Sequence, residues 1–112
     1  GGYDACRQLL QERPDTTAVV AMGDIMAVGA YEAARRTGRR VPRDLSVTGF
    51  DDIPQARLLE PRLTTISQPG FEKGVAAGEL LFRLLRSEGD PGNRSFEGEL
   101  VLRGSVAPPA AS

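Results

Sequence analysis

The sequence predicts an α/β fold, specifically one lobe built on an open, mostly parallel sheet flanked by helices. Three β-favouring runs, TAVVAMGD, LSVTGFDD and LTTISQP, alternate with helical or turn-rich segments, a pattern typical of right-handed crossover units. Each run ends in short polar residues, at Gly23-Asp24, Asp51-Asp52 and Gln68-Pro69. Ligands of parallel sheets bind beyond the carboxyl ends of the strands. These ends therefore predict one side of a polar ligand cleft.

The first predicted elements are a helix and a buried strand. Apolar side chains recur at helical spacing from Tyr3 to Leu10, and Pro14 ends that helix. The continuous β-rich run 17–22 is typical of a strand covered on both faces. The chain begins inside this helix, so we expect it to be a fragment of a longer protein.

A second helix is predicted from Asp24, an expected N-cap, to about Thr37, with Gly38 as the residue that ends it. The first half of this helix, which includes Ile25 and Val28, is apolar all round. A surface helix needs only one apolar stripe. We therefore expect a sheet beneath this helix and a second surface, such as another subunit, above it.

The remaining elements follow from β-rich and helical patterns. Strands are predicted over 45–50 and 63–67, separated by a turn or two of helix within 53–61. Pro69 starts an amphipathic helix that runs to Leu85. A loop over 87–95, a strand over 96–106 and a disordered tail over 107–112 complete the chain.

The composition excludes several classes of function. A net charge of −1, from 14 basic and 15 acidic residues, leaves no electrostatic footprint for a phosphate backbone. The chain has no histidine, which excludes a Ser-His-Asp triad, and its single cysteine, Cys6, cannot form an internal disulfide. No apolar run approaches the ~20 residues that span a membrane. No cofactor or metal is expected, and no residue has an evident role as a nucleophile or general base.

Asp51 is the strongest candidate for a ligand contact, because it directly follows a strand and an ionised carboxylate only accepts hydrogen bonds. Asp51 and Asp52 could equally be turn formers, and Asp52 is expected to cap the short helix that follows. Asp24 could be an N-cap or a ligand contact. Gly23 could admit a ligand close to the backbone or supply conformational freedom. Gln68 can both donate and accept, which suits a hydroxyl-rich ligand.

An alternative hypothesis makes Asp24, Asp51 and Asp52 an acidic Mg²⁺ pocket, as in phosphoacceptor domains. That chemistry also needs a cation at another strand end. Lys73 is the only lysine, and it lies inside a predicted helix.

The run from Ala21 to Pro69 closely resembles the C-terminal part of lactose-repressor-type (LacI/GalR) regulators. The resemblance rests on AMGD, VPRDLSV, GFDD and TTISQP, which occur in order at the spacing of that family. It covers about residues 2–108. It implies that Asp51 contacts an effector and that Gln68 lies beside the cleft, where the chain crosses between lobes. Gly23 stands where the family usually has an effector-contacting asparagine.

The same resemblance implies a domain organisation. Residues 1–106 would be the C-terminal part of an effector-binding and dimerisation domain, with 69–95 belonging to an N-terminal lobe absent from this chain. Leu59 falls where relatives often carry an aromatic at the dimer interface, and the apolar start of the Ile25 helix would lie near that interface too. A helix-turn-helix head upstream would bind operator DNA as a homodimer or higher oligomer.

The resemblance implies a bacterial transcriptional regulator, specifically a repressor, rather than an enzyme. The implied effector is a small sugar-like or purine-like molecule, and the implied location is the cytoplasm, with no membrane partner. One rival is a periplasmic or extracellular sugar-binding protein that serves a transporter. The other is the Mg²⁺-dependent phosphoacceptor domain.

Overall fold

The structure is a computed structural model that describes residues 1–110. These residues divide into two compact units, one made of Gly1–Ser67 with the segment from Leu100 onward, the other of Gln68–Glu99. The elements in chain order are α1 (Gly2–Glu12), β1 (Ala18–Val20), α2 (Asp24–Arg36), β2 (Ser46–Thr48), a short 3-10 helix (Pro54–Arg57), β3 (Thr65–Ser67), α3 (Gly70–Leu85) and β4 (Glu99–Val101).

The strands of the first unit run parallel where their direction is defined. β1 pairs with β2 in parallel, with Ala18 opposite Ser46. Isolated parallel bridges, including one between Thr48 and Thr64, connect the β2 region to the β3 region. β3 in turn pairs with β4, of which Leu100 and Val101 belong to this unit. The predicted α/β fold with a mostly parallel sheet is thus confirmed.

The last predicted strand is much shorter than expected: β4 covers three residues rather than 96–106. After β4, backbone N–H groups donate hydrogen bonds to side-chain hydroxyls instead of to a neighbouring strand. Arg103 N–H donates to Thr64 Oγ1, and Ala107 N–H donates to Ser46 Oγ. The Ser46 hydroxyl in turn donates to the Ala107 carbonyl at 3.0 Å. The end of the tail for which disorder is predicted, residues 111 and 112, lies outside the described residues.

Small residues allow α1 and α2 to pack closely. A Cβ added to Gly29 would overlap the backbone of Tyr3, and one added to Gly2 would overlap the backbone of Met26. The inner face of α2 is correspondingly small, since Ala27, Ala30, Ala33 and Ala34 are all buried. Glycine and alanine are therefore needed at this crossing, and side chains could not be enlarged there without moving a helix.

The core of the first unit lies between these helices and the sheet. Leu45, Val47 and Leu63 are fully buried, and Cys6 and Leu10 of α1 pack into the same cluster. The helix prediction for 24–37 is confirmed by α2, and Gly38 follows it with a left-handed φ of 71°.

The second unit is dominated by α3, the amphipathic helix predicted after Pro69. Ala76 is its buried residue, whereas Phe71 is 81% exposed and Phe82 and Leu85 are also exposed. Within residues 1–110, no helix is both long and apolar enough to cross a bilayer.

Candidate ligand-binding site

The carboxyl ends of the strands meet through backbone hydrogen bonds. Asp24 N–H donates to the Phe50 carbonyl at 3.0 Å, and Asp51 N–H donates to the Ile66 carbonyl at 2.9 Å. An isolated bridge joins Asp51 to Ser67. Asp24 and Asp51 are thereby brought to one edge of the sheet of the first unit.

Gly23 and Asp51 lie side by side at this edge. A Cβ built on Gly23 would lie 3.8 Å from Asp51 Oδ2 and 3.9 Å from the Phe50 carbonyl oxygen. Asp51 is exposed, and its φ is 117°. Gly23 has a φ of −163°, an extended conformation open to any residue, so the alternative that Gly23 supplies unusual backbone freedom is wrong. What glycine provides here is an unfilled space beside a carboxylate.

The buried Asp24 side chain connects two other segments of the chain by hydrogen bonds. Its side chain is 1% exposed, and its carboxylate accepts hydrogen bonds from the Ile53 amide (2.9 Å) and the Thr65 hydroxyl (2.6 Å). The prediction that Asp24 caps α2 is wrong, because Gly23 occupies the N-cap position and no side chain caps the helix. Asp24 instead links the start of α2 to β3 and to the loop after Asp52.

Gly49 leaves room for the Asp24 carboxylate, since a Cβ at position 49 would overlap it. Sequence reasoning missed both Gly49 and Thr65. The available signal was a glycine placed two residues before the polar strand end.

Asp52 is held by two arginines. Arg103 Nη2 donates to Oδ1 at 2.7 Å and Arg57 Nη2 to Oδ2 at 3.4 Å. Burial raises the pKa of Asp52, but the hydrogen bonds and charges of Arg103 and Arg57 outweigh it, so the pKa is lowered overall. The prediction that Asp52 caps the 3-10 helix is wrong, because Ile53 is the N-cap and makes no side-chain cap bond.

Arg103 is a third residue that sequence reasoning missed. Its signal was a single arginine within the otherwise strand-like run LVLRGSV.

Gln68 belongs to the second unit. Its Oε1 accepts a hydrogen bond of 2.6 Å from Lys73 Nζ. The ammonium group of Lys73, the only lysine of the chain, is thus hydrogen-bonded to the side-chain amide of Gln68. Among residues 1–110, no three His, Cys, Asp or Glu side chains are grouped so that they could hold a metal ion.

The residues predicted at a dimer interface differ in exposure. Ile25, near the start of α2, is 66% exposed, and Val28 is half-buried. Leu59 is partly buried against the core cluster, whereas its neighbour Leu58 is exposed.

An apolar hollow of about 380 Å³ lies on the sheet of the first unit. Its wall includes Val20, Met22, Phe50 and Leu100, all of them exposed. Among residues 1–110, no ionisable side chain lines this hollow, so it is chemically distinct from the polar edge at Gly23 and Asp51.

The comparisons with known proteins agree on one family. The periplasmic binding protein-like domain family matches residues 2–106. The HTH-type transcriptional repressor PurR of Yersinia pestis (strain Pestoides F) is 45% identical over 107 residues, which is 95% of this chain and 31% of that protein. The chain therefore spans about a third of the length of the curated relatives it matches.

Solved structures give the same result. A LacI family transcriptional regulator from Arthrobacter sp. FB24, in complex with lactose, matches with a TM-score of 0.77 and 40% identity, over 95% of this chain and 40% of that one. The Lac repressor dimer bound to operator and the anti-inducer ONPF matches with a TM-score of 0.82 and 33% identity, over 94% and 37%. The chain thus belongs to the periplasmic binding protein-like domain family, and its homologues are transcriptional regulators of the LacI family.

Proposed function

We propose that this chain is the C-terminal part of the effector-binding and dimerisation domain of a transcriptional repressor. The observation that carries the proposal is that Asp51 is exposed at the strand ends, next to Gly23, which has no side chain to cover the Asp51 carboxylate. A carboxylate in that position accepts hydrogen bonds from vicinal hydroxyls or from ring N–H groups. The effector is therefore a neutral sugar or a purine-like heterocycle.

The effector acts by population shift. A ligand that bridges two lobes favours one closure angle between them. Through that angle, the ligand would change the affinity of a helix-turn-helix head on the same chain for operator DNA. The Lac repressor relative is a dimer bound to operator, which supports a homodimer that binds DNA outside the 112 residues. A protein that acts on DNA in this way is cytoplasmic and is not an enzyme.

The separate unit Gln68–Glu99 supports a division of the chain between two lobes. Its helix α3 leaves Phe71, Leu81 and Phe82 exposed. Burying each such side chain would contribute roughly 1.5–3 kcal/mol. We propose that residues 69–95 complete an N-terminal lobe and that this lobe covers the apolar face of α3.

The test is isothermal titration calorimetry on the longest natural protein that contains this chain, with a panel of neutral mono- and disaccharides and purine bases. Because φ is 117° at Asp51, substitution by alanine would strain the backbone as well as remove the carboxylate. Asp51→Asn adds little strain beyond that of Asp51 itself, since asparagine and aspartate tolerate positive φ to a similar degree. It removes the charge and one acceptor, and we expect affinity to fall about tenfold or more, equivalent to at least ~1.4 kcal/mol.

Asp15→Asn is the matched control, since Asp15 is an exposed aspartate beyond the end of α1. We expect it to bind like the wild type. Equal affinity of wild type and Asp51→Asn for every bound member of the panel would refute the contact.

A further inference from the structure

Two consecutive residues at the proposed site have left-handed backbone conformations. The φ angle is 117° at Asp51 and 57° at Asp52. Residues other than glycine adopt such angles at a cost, and they persist where surrounding contacts hold them in place. The direction of the Asp51 carboxylate therefore depends on what fixes the backbone before and after it.

The sheet fixes the backbone before Asp51, through the hydrogen bond from its N–H to Ile66. A side-chain ion pair fixes the residue after it. The Asp52 and Arg103 side chains are only 8% and 13% exposed, and their nearest charged atoms are 2.7 Å apart. A charge-assisted hydrogen bond of this length, shielded from water, is among the stronger contacts a side chain makes.

Arg103 is itself held in place. Its Nη1 donates to the Leu63 carbonyl at 3.0 Å, and its backbone N–H donates to Thr64 Oγ1 at 2.9 Å. The guanidinium thus connects the residues before β3 to the loop after β2. Arg57 binds the same carboxylate at 3.4 Å, but its side chain is 66% exposed, so solvent screens that contact.

We propose that Arg103 is a positioning residue for effector binding. It clamps Asp52, and the clamp keeps the adjacent Asp51 in its left-handed conformation with the carboxylate beside Gly23. Arg103 does not touch the ligand. The proposal rests on the proposed function, in which Asp51 is the ligand contact.

Hydrogen exchange tests the clamp without any ligand. In the ¹⁵N-labelled natural protein that contains this chain, the Asp51 amide is compared with the Ala21 amide, which donates to Thr48 in the same unit. If the clamp exists, Arg103→Lys and Asp52→Asn accelerate exchange at Asp51 about tenfold through local opening, with Ala21 unchanged. Arg57→Ala, which removes only the exposed partner, leaves both amides as in the wild type.

Arg103→Met removes the charge as well and is the stronger variant if it folds. If it unfolds, exchange at Ala21 rises too, and Arg103→Lys and Asp52→Asn decide the question. Wild-type exchange at Asp51 in both of these variants would overturn the proposal.

Calorimetry with lactose and hypoxanthine on the longest natural protein tests the consequence for binding. Whichever probe binds the wild type is expected to bind Arg103→Met about tenfold more weakly, with an intermediate loss for Arg103→Lys, which restores the charge but not the fork of donors. Faster exchange at Asp51 with unchanged affinity would overturn the positioning role. Unchanged affinity in Asp51→Asn would refute the proposed function instead. The hydrogen-exchange measurement would still test the clamp between Asp52 and Arg103, because it needs no ligand.

Discussion

The hydroxyl of Thr65 donates a hydrogen bond of 2.6 Å to the carboxylate of Asp24, which lies 41 residues earlier in the chain. Both side chains are buried. The bond joins the first turn of α2 to β3. In β3, the Ile66 carbonyl accepts a hydrogen bond from the Asp51 N–H. The stability of the fold and the geometry of the proposed site therefore share this contact.

Removing the Asp24 carboxylate is expected to destabilise the first unit strongly. Asp24→Ala leaves the Ile53 amide and the Thr65 hydroxyl without their acceptor. A buried polar group without a partner costs about 1–3 kcal/mol. We expect a loss of about 2–4 kcal/mol in the free energy of unfolding, measured by urea denaturation.

Thr65→Val is the informative companion to Asp24→Ala. The double variant is expected to lose less than the sum of the two single losses, because the two residues share one hydrogen bond. Strictly additive losses would contradict the coupling.

Enlarging Gly29 is expected to separate α1 from α2. The added methyl group of Gly29→Ala would overlap the backbone of Tyr3, and overpacking of this kind costs about 1–3 kcal/mol. Gly74→Ala is the control, since Gly74 lies in α3 with open space around it. There alanine is expected to stabilise the helix by about 0.5–1 kcal/mol.

Thermal unfolding followed by circular dichroism distinguishes the two glycine variants. A Gly29→Ala protein as stable as the wild type would show that the two helices can move apart without loss.

The Asp52–Arg103 pair is expected to give stability that disappears in acid. The pKa of Asp52 is lowered in the folded state, so the folded protein binds this proton less tightly than the unfolded chain does. In an unfolded chain the pKa of an aspartate is about 3.9. The contribution of the pair is therefore complete above that value and is lost as the pH falls through the lower, folded-state pKa.

The measurement for the Asp52–Arg103 pair is the difference in free energy of unfolding between wild type and Asp52→Asn. It is taken by urea denaturation in steps from pH 7 to pH 2. The difference is expected to be constant at neutral pH and to shrink in the acidic range. A difference that stayed constant down to pH 2 would contradict the lowered pKa.

The sequence predicts what local patterns can show. β-rich runs that end in polar residues identified Gly23 and Asp51 as neighbours at a strand edge, because parallel strands bring their carboxyl ends together. The roles of Asp24 and Asp52 depend instead on partners 41 and 51 residues away in the chain, Thr65 and Arg103. Helix-capping preference favours a local role for an aspartate, and it gives no information about a distant partner.

Helical periodicity likewise located α3 correctly but could not identify its neighbours. An amphipathic pattern reports that one face of a helix seeks apolar contact. It does not report which part of the protein supplies that contact, and Phe71 is exposed in the chain as it stands.

The extended backbone at Gly23 makes that position unusually adaptable. Any amino acid can adopt its φ of −163°, and a Cβ there would meet only ordinary contact distances. A single codon change could therefore bring in a new hydroxyl, amide or methyl next to Asp51 with little penalty to folding. Regulators that respond to different small molecules could diverge from this scaffold through that one residue.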